Sequence, residues 1–192
     1  MNTAERVKAF TALSHRTLEK LIVELIRDLQ TRDDYTHLLG LFYSYFSGIE
    51  NLIVLQNFGP EFPDFYERRK ALLISHDISA LQGQVQGIVQ NKFLPEIRNS
   101  FQAFGALYVL EGSTLGGPHI VQMIQKKLGL KEDVFRFFSG YGDQNIAMWE
   151  KFKRVLNSLS ESEDDINTVL TGAEDTFQKF GEWIKSNKHG KC

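Results

Sequence analysis

With 192 residues, 42% hydrophobic and 24% charged, the chain has the size and balance of one domain able to bury a real core. A net charge of −2 with no long basic block argues against nucleic acid as a partner, and no apolar run approaches a membrane span or a signal-peptide core. The only cysteine is Cys192, which excludes an intrachain disulfide framework and a cysteine-based metal site; the expected compartment is the cytoplasm.

From Thr3 to about Leu29, Val7, Phe10, Leu13, Leu18, Leu21, Ile22, Leu25 and Ile26 recur at spacings of three and four, which predicts a first helix. That helix places His15 and Glu19 one turn apart on one face, with Lys8 two turns before His15. T-R-D-D then supplies a turn and an N-cap for a second helix, Asp34 to Gln56. Pro60 and Pro63 interrupt the chain, and a third helix is predicted from near Asp64 through F-Y-E-R-R-K-A-L-L. His76-Asp77 and the segment Gln82 to Gln90 read as a connection with a short helix. A long helix, Ser100 to Leu128, follows Pro95, and after it comes the aromatic, turn-rich F-R-F-F-S-G-Y-G-D. Ala147 to Leu159 forms another helix, S-E-S-E-D-D caps the next, and the last runs from Ile166 to about Lys188, with a flexible tail expected from about residue 186. There is no β alternation and no internal repeat, so the expected fold is all-α, one bundle of about seven helices.

Within the long helix, Gly105 to Gly117 reads G-A-L-Y-V-L-E-G-S-T-L-G-G. Gly112, Gly116 and Gly117 crowd its end, and Pro118 follows at once. An interior glycine costs roughly 0.5–1 kcal/mol relative to alanine, and an interior proline about 3 kcal/mol. Two causes could maintain that accumulation: bare backbone lying close to a flat ligand, or two helices packed tightly together. Helical spacing alone leaves both open.

The usual catalytic devices are absent: no G-x-S-x-G, no H-E-x-x-H, no Walker loop and no Rossmann fingerprint. The lone D-Y-T-H at Asp34 to His37 does not supply the paired motifs of a di-iron bundle. Of the five histidines, His37 and His189 are expected in solvent, His76 capping helix-end carbonyls, and His119 in solvent or between helices. His15 alone has a carboxylate, Glu19, at helical spacing. Such a pair is either a surface contact or a metal-ligating imidazole with the carboxylate that orients it.

Taken together, these stretches resemble the haem oxygenases, and within them the bacterial group associated with bacteriophytochromes. Thr11, His15 and Glu19 match the family's T-x-x-x-H-x-x-x-E, and G-A-L-Y-V-L-E-G-S-T-L-G-G is similar to its distal-helix motif. E-R-R-K-A-L-L, F-F-S-G-Y-G and Met148-Trp149 also resemble that group. The resemblance implies His15 as the axial ligand of haem iron, Glu19 as its partner, and Lys8 and Lys153 facing the propionates. Phe177 would stand on the haem wall, and the backbone of Gly112, Gly116 and Gly117 would cover the distal face. Haem would be both cofactor and substrate, opened with O2 and external electrons to biliverdin, carbon monoxide and iron. An electron donor such as a ferredoxin or a flavin reductase is implied, with a bacteriophytochrome as a candidate acceptor of biliverdin; a monomer is the default.

The chain departs from the pattern of the animal enzymes at Ser113, where they carry an aspartate that organises the water network, and at Pro118 and His119. Ser113 with an ordered water is the expected source of the distal hydrogen bond. A haem carrier of the same fold is the alternative to an enzyme. A thiaminase-like enzyme would need a nucleophilic cysteine, which has no counterpart here.

Overall fold

A computed structural model of the chain describes residues 1–56, 58, 62–85, 89–159 and 162–188. Among the described residues there are eight α-helices and no strand: α1 Thr3–Phe10, α2 Ala12–Asp28, α3 Arg32–Val54, α4 Leu72–Ala80, α5 Ser100–Leu128, α6 Arg136–Ser139, α7 Asn145–Ser158 and α8 Glu163–Asn187. No helix among them is long and apolar enough to cross a membrane.

The long glycine-bearing helix, α5, is the axis of the bundle and touches α3, α6, α7 and α8. Its tightest crossing is with α8. A side chain at Gly105 would come within 2.6 Å of the Ala173 nitrogen, and one at Gly172 within 2.6 Å of the Gln102 carbonyl oxygen. The two glycines therefore let backbone meet backbone, and α8 is held hard against α5 at that level. Phenylalanines fill the remaining space in two groups. Phe42, Phe46, Phe137, Phe138 and Phe180 pack edge to face in one, and Phe58, Phe62, Phe65 and Phe104 form the other.

The first predicted helix is two helices. Thr11 leaves helical dihedrals at φ −88°, ψ 3°, and its hydroxyl as well as its N–H donates to the Val7 carbonyl. This back-bonding by a buried threonine separates α1 from α2. α1 is capped by Asn2 and Glu5, which bond reciprocally, and is tied to the rest by Asn157 accepting from the Ala4 N–H at 2.9 Å. Arg6 adds two hydrogen bonds to Glu163, each 2.8 Å. The second predicted helix, expected from Asp34, begins two residues earlier at Arg32, with Thr31 of T-R-D-D as its cap and Asp34 closing the box.

The third predicted helix is replaced by a single 3-10 turn, Phe65–Glu67, and an extended Arg68 at φ −74°, ψ 158°. A continuous helix is given up because Arg68 turns inward to Glu111 at 2.6 Å and Asp64 at 3.0 Å. His76 and Asp77 lie inside α4 instead of in a connection. Buried Asp77 accepts from the Arg136 and Phe137 N–H groups and so caps α6, which local sequence could not indicate. The short helix expected within 82–90 is absent from the described residues there; a 3-10 turn at Asn91–Phe93 follows, and 86–88 lie outside the description. At the other end, α8 stays helical to Asn187, whose carbonyl lies 3.3 Å from His37 Nε2. His37 is thus half-buried against α8 and not simply solvated. His189 and Cys192 lie outside the described residues.

Candidate functional site

The glycines of α5 divide by what surrounds them. A side chain at Gly117 would overlap the carbonyl oxygen of Phe138, so this glycine is required by the packing of α6 on α5. Gly117, expected on the ligand-facing surface, is buried against protein. Gly116 is the opposite case: it is exposed, and no atom lies within 4 Å of where its Cβ would be. Gly112 faces the ring of Trp149, at 3.6 Å from an added Cβ. Packing therefore accounts for Gly105 and Gly117, whereas Gly116 leaves backbone open that packing does not require.

Ser113 sits beside that strip and its hydrogen bonds are fully determined. Arg69 Nη2 donates to Ser113 Oγ at 2.7 Å, and Ser113 Oγ donates to the Leu110 carbonyl at 2.6 Å. Neither role can reverse, because a guanidinium only donates and a carbonyl only accepts. One lone pair of Ser113 is left, so towards the site it is an acceptor. Arg69 also bonds the Leu110 and Phe137 carbonyls, and its guanidinium lies 4.2 Å from the Phe137 ring centre. Burial lowers the pKa of Arg69 from its ordinary value, partly offset by Glu111, Tyr141 and Glu50.

From Arg69 the polar network runs on through the protein. The Arg69 N–H donates to Tyr141 Oη at 2.9 Å, Tyr141 donates to Glu111 at 3.1 Å, and Glu111 pairs with Arg68. Arg68 pairs in turn with Asp64, which Lys151 reaches from the surface at 2.8 Å. Burial would lower the Arg68 pKa, but Glu111 and Asp64 outweigh it and hold it above the usual value. Burial likewise opposes ionisation of Asp64, yet hydrogen bonds from Lys151 and Arg68 keep its carboxyl below the usual range. Glu111, adjacent to Gly112, thus anchors the distal motif on buried charge.

His15 of α2 is exposed, and its ring stands edge-on to Phe177 of α8 with centroids 5.5 Å apart. Glu19 is exposed as well, and among the described residues no hydrogen bond joins it to His15. The neighbouring Ser14 does have a partner: it donates to Glu174, three residues before Phe177.

Lys8 of α1 and Lys153 of α7, far apart in sequence, line one cleft of about 320 Å³ with Tyr108, Trp149, Arg154 and Asn157. Trp149 is wedged between Tyr108 and Phe152, at 5.1 and 5.7 Å between ring centres. Lys153 bonds Glu150 at 2.8 Å and lies 5.9 Å from the Trp149 ring. Burial pushes the Tyr108 phenol up to about 12, so it keeps its proton and remains a donor at neutral pH. His119 and Pro118 are exposed on α5, and no hydrogen bond to His119 is made among the described residues.

The sequence pattern missed Arg69, Tyr108 and Trp149 as site residues. The signal for Arg69 was the second arginine of E-R-R-K, but two adjacent arginines in an expected helix cannot both point inward. They do so here because the helix ends before them.

The sequence profile of the family described as heme oxygenase matches residues 1–186. A protein named heme oxygenase from Xanthomonas campestris pv. campestris is 26% identical over 153 residues, covering 77% of this chain and 87% of that protein. Among solved structures, the NO- and CO-bound heme oxygenase of Neisseria meningitidis superimposes with a TM-score of 0.83 at 21% identity, over 97% of this chain and 92% of that one. Heme oxygenase-1 of the cyanobacterium Synechocystis, in complex with heme, gives 0.79 at 16% identity over 98% and 93% of the two chains. At those identities the superpositions speak for the fold, and the profile, spanning nearly every residue, speaks for descent. The chain belongs to the haem oxygenase family.

Proposed function

We propose that this haem oxygenase holds haem between α2 and α5 with His15 as the axial ligand, and opens it to biliverdin, carbon monoxide and iron using O2 and electrons from a partner. The residues present fit such a group. A single imidazole suffices for iron already held by a macrocycle, and His15 is exposed beside an aromatic wall. Gly116 offers bare, open backbone for a flat face to approach. Lys8 and Lys153 line one cleft, beside Glu5 and Glu150, and are the cations this reading assigns to the propionates. The exposed His15 ring standing edge-on to Phe177 is the observation that best supports this reading.

When bound, haem supplies both the oxygen-binding iron and the ring that is cleaved. The protein's part is binding, orientation and proton control. Burial of the macrocycle against apolar walls should dominate affinity at about 25 cal/mol per Å². Lys8 and Lys153 are partly or fully exposed, so each propionate pair adds only about 0–1 kcal/mol and acts mainly by fixing rotation in the pocket. On the distal side Ser113, an acceptor held by Arg69, receives a hydrogen bond from a water and so aims that water's other proton into the pocket. The water is the donor and Ser113 its holder. Gly116 leaves that space free of a side chain, and Gly112 lies against the Trp149 ring. Glu19 is the carboxylate placed to accept from the His15 ring once the ring is fixed by iron.

Electrons come from a ferredoxin or a flavin reductase, in the cytoplasm, with the enzyme acting as a monomer. The affinity of the sequence with the bacteriophytochrome-associated group makes a bacteriophytochrome the candidate acceptor of biliverdin. The test is to add haemin to the purified protein, record the Soret band, and supply ascorbate under air. Loss of the band with growth of biliverdin absorbance is expected; a stable band that never gives way to biliverdin would support a haem carrier instead.

A further inference from the structure

Helix α8 touches both walls of the proposed pocket within one and a half turns. Gly172 is packed on the backbone of α5, the distal helix. Phe177 meets His15 on α2, the proximal helix. Between them lies Glu174, whose Oε1 accepts from Ser14 Oγ and also from Gln178 Nε2 at 2.7 Å. Its other oxygen, Oε2, is buried with no hydrogen-bond partner among the described residues. A carboxylate oxygen kept from water in this way carries a desolvation cost that a surface interaction would not require.

We infer that Glu174 is a positioning residue for the proximal ligand, acting through Ser14. The hydrogen bond locks the Ser14–His15 turn onto α8 at the level where Gly172 locks α8 onto α5. The gap between imidazole and distal backbone is then set by one rigid helix, instead of by the two helices that line it. The His15 ring makes no hydrogen bond among the described residues, so beyond the helix's own backbone bonds the turn bearing it is held by its neighbour. Ser14 is a donor in this bond and Glu174 the acceptor, so glutamine, which keeps a carbonyl oxygen at the same place, should preserve it. Alanine at either position should not. The inference rests on His15 being the iron ligand.

The experiment measures haemin affinity and the iron–histidine stretching band of the ferrous protein by resonance Raman for Ser14→Ala, Glu174→Ala, Glu174→Gln and the double alanine variant, with His15→Ala beside them. Thermal unfolding of each haem-free variant checks that it is folded. Ser14→Ala and Glu174→Ala should each weaken haemin binding about tenfold and broaden or shift the band. The double variant should be no worse than either single one, and Glu174→Gln should resemble wild type. Folded alanine variants with unchanged affinity and band would overturn the inference, as would Glu174→Gln behaving like Glu174→Ala. If His15→Ala keeps the iron–histidine band, the ligand assignment falls and this inference with it. If His15→Ala loses the band while the Ser14 and Glu174 variants match wild type, this inference alone falls.

Discussion

Arg69 and Ser113 share a carbonyl: Arg69 Nη2 bonds both Ser113 Oγ and the Leu110 oxygen to which Ser113 itself donates. The triangle fixes Ser113 as an acceptor towards the pocket. Ser113→Ala should therefore leave haemin affinity within about twofold of wild type while turnover falls about tenfold, the worth of one hydrogen bond at the reacting end. Arg69→Leu removes a buried guanidinium with its bonds to Ser113 and to the Leu110 and Phe137 carbonyls, and should in addition cost about 1–3 kcal/mol of stability. Soret titration, single-turnover kinetics and urea unfolding separate the two effects. Equal loss of affinity and turnover in Ser113→Ala would contradict the acceptor role.

Gly116 and Gly117 are adjacent, and their alanine variants should part company. Gly116→Ala meets open space and should stabilise the haem-free protein by about 0.5–1 kcal/mol through helix propensity, while weakening haemin binding. Gly117→Ala would collide with the Phe138 carbonyl and should lower stability by about 1–3 kcal/mol, with haemin affinity affected only as far as folding is. The check is a pair of melting curves with and without haemin.

These glycines mark how far the sequence could be read. Periodicity carried α2, α7 and α8, where buried residues recur at helical spacing, while α5, buried all round over 103–111, was marked by its length and its Asn99 and Gly129 ends. It could not assign the glycines, because tight packing and ligand contact demand the same missing Cβ. Nor could it find the break at Arg68: E-R-R-K-A-L-L has good helix propensity, and what ends the helix is a pair of carboxylates, Asp64 and Glu111, one of them on another helix. Asp77 likewise caps α6 from α4, across a long stretch of chain. Lys8, His15 and Phe177 were proposed from the sequence because their positions match a known family, and each lies on a regular helix. The distal partner of Ser113 was not, since it comes from the irregular segment.

The buried pair Arg68–Glu111 should be costly to break from one side. Arg68→Met leaves Glu111 and Asp64 without their shared cation and should lower stability by about 3–5 kcal/mol. Glu111→Gln, which keeps the shape, should cost less but still loosen the turn that carries Gly112. Denaturant midpoints measure the first effect, and amide exchange along 107–116 the second.

Asp77 gives stability a pH dependence of defined sign. Burial raises its pKa to about 6, against the pull of the Phe137 and Arg136 N–H groups, from an ordinary value of 3.8. A raised carboxyl favours the protonated folded state, so its contribution is complete below the unfolded pKa and is lost as pH rises through about 6. Relative to Asp77→Asn, which cannot titrate, wild type should lose on the order of 1–2 kcal/mol between pH 4 and pH 7. Urea unfolding of both proteins across that range checks the slope; parallel curves would contradict it.

The central claim is that His15 binds the iron of a haem that the protein then cleaves. The most direct measurement is biliverdin formation by His15→Ala with and without added imidazole, compared with wild type under the same reductant. The variant should take up haemin weakly, form no biliverdin, and regain turnover when imidazole fills the vacated position. Wild-type turnover by His15→Ala without imidazole would contradict it.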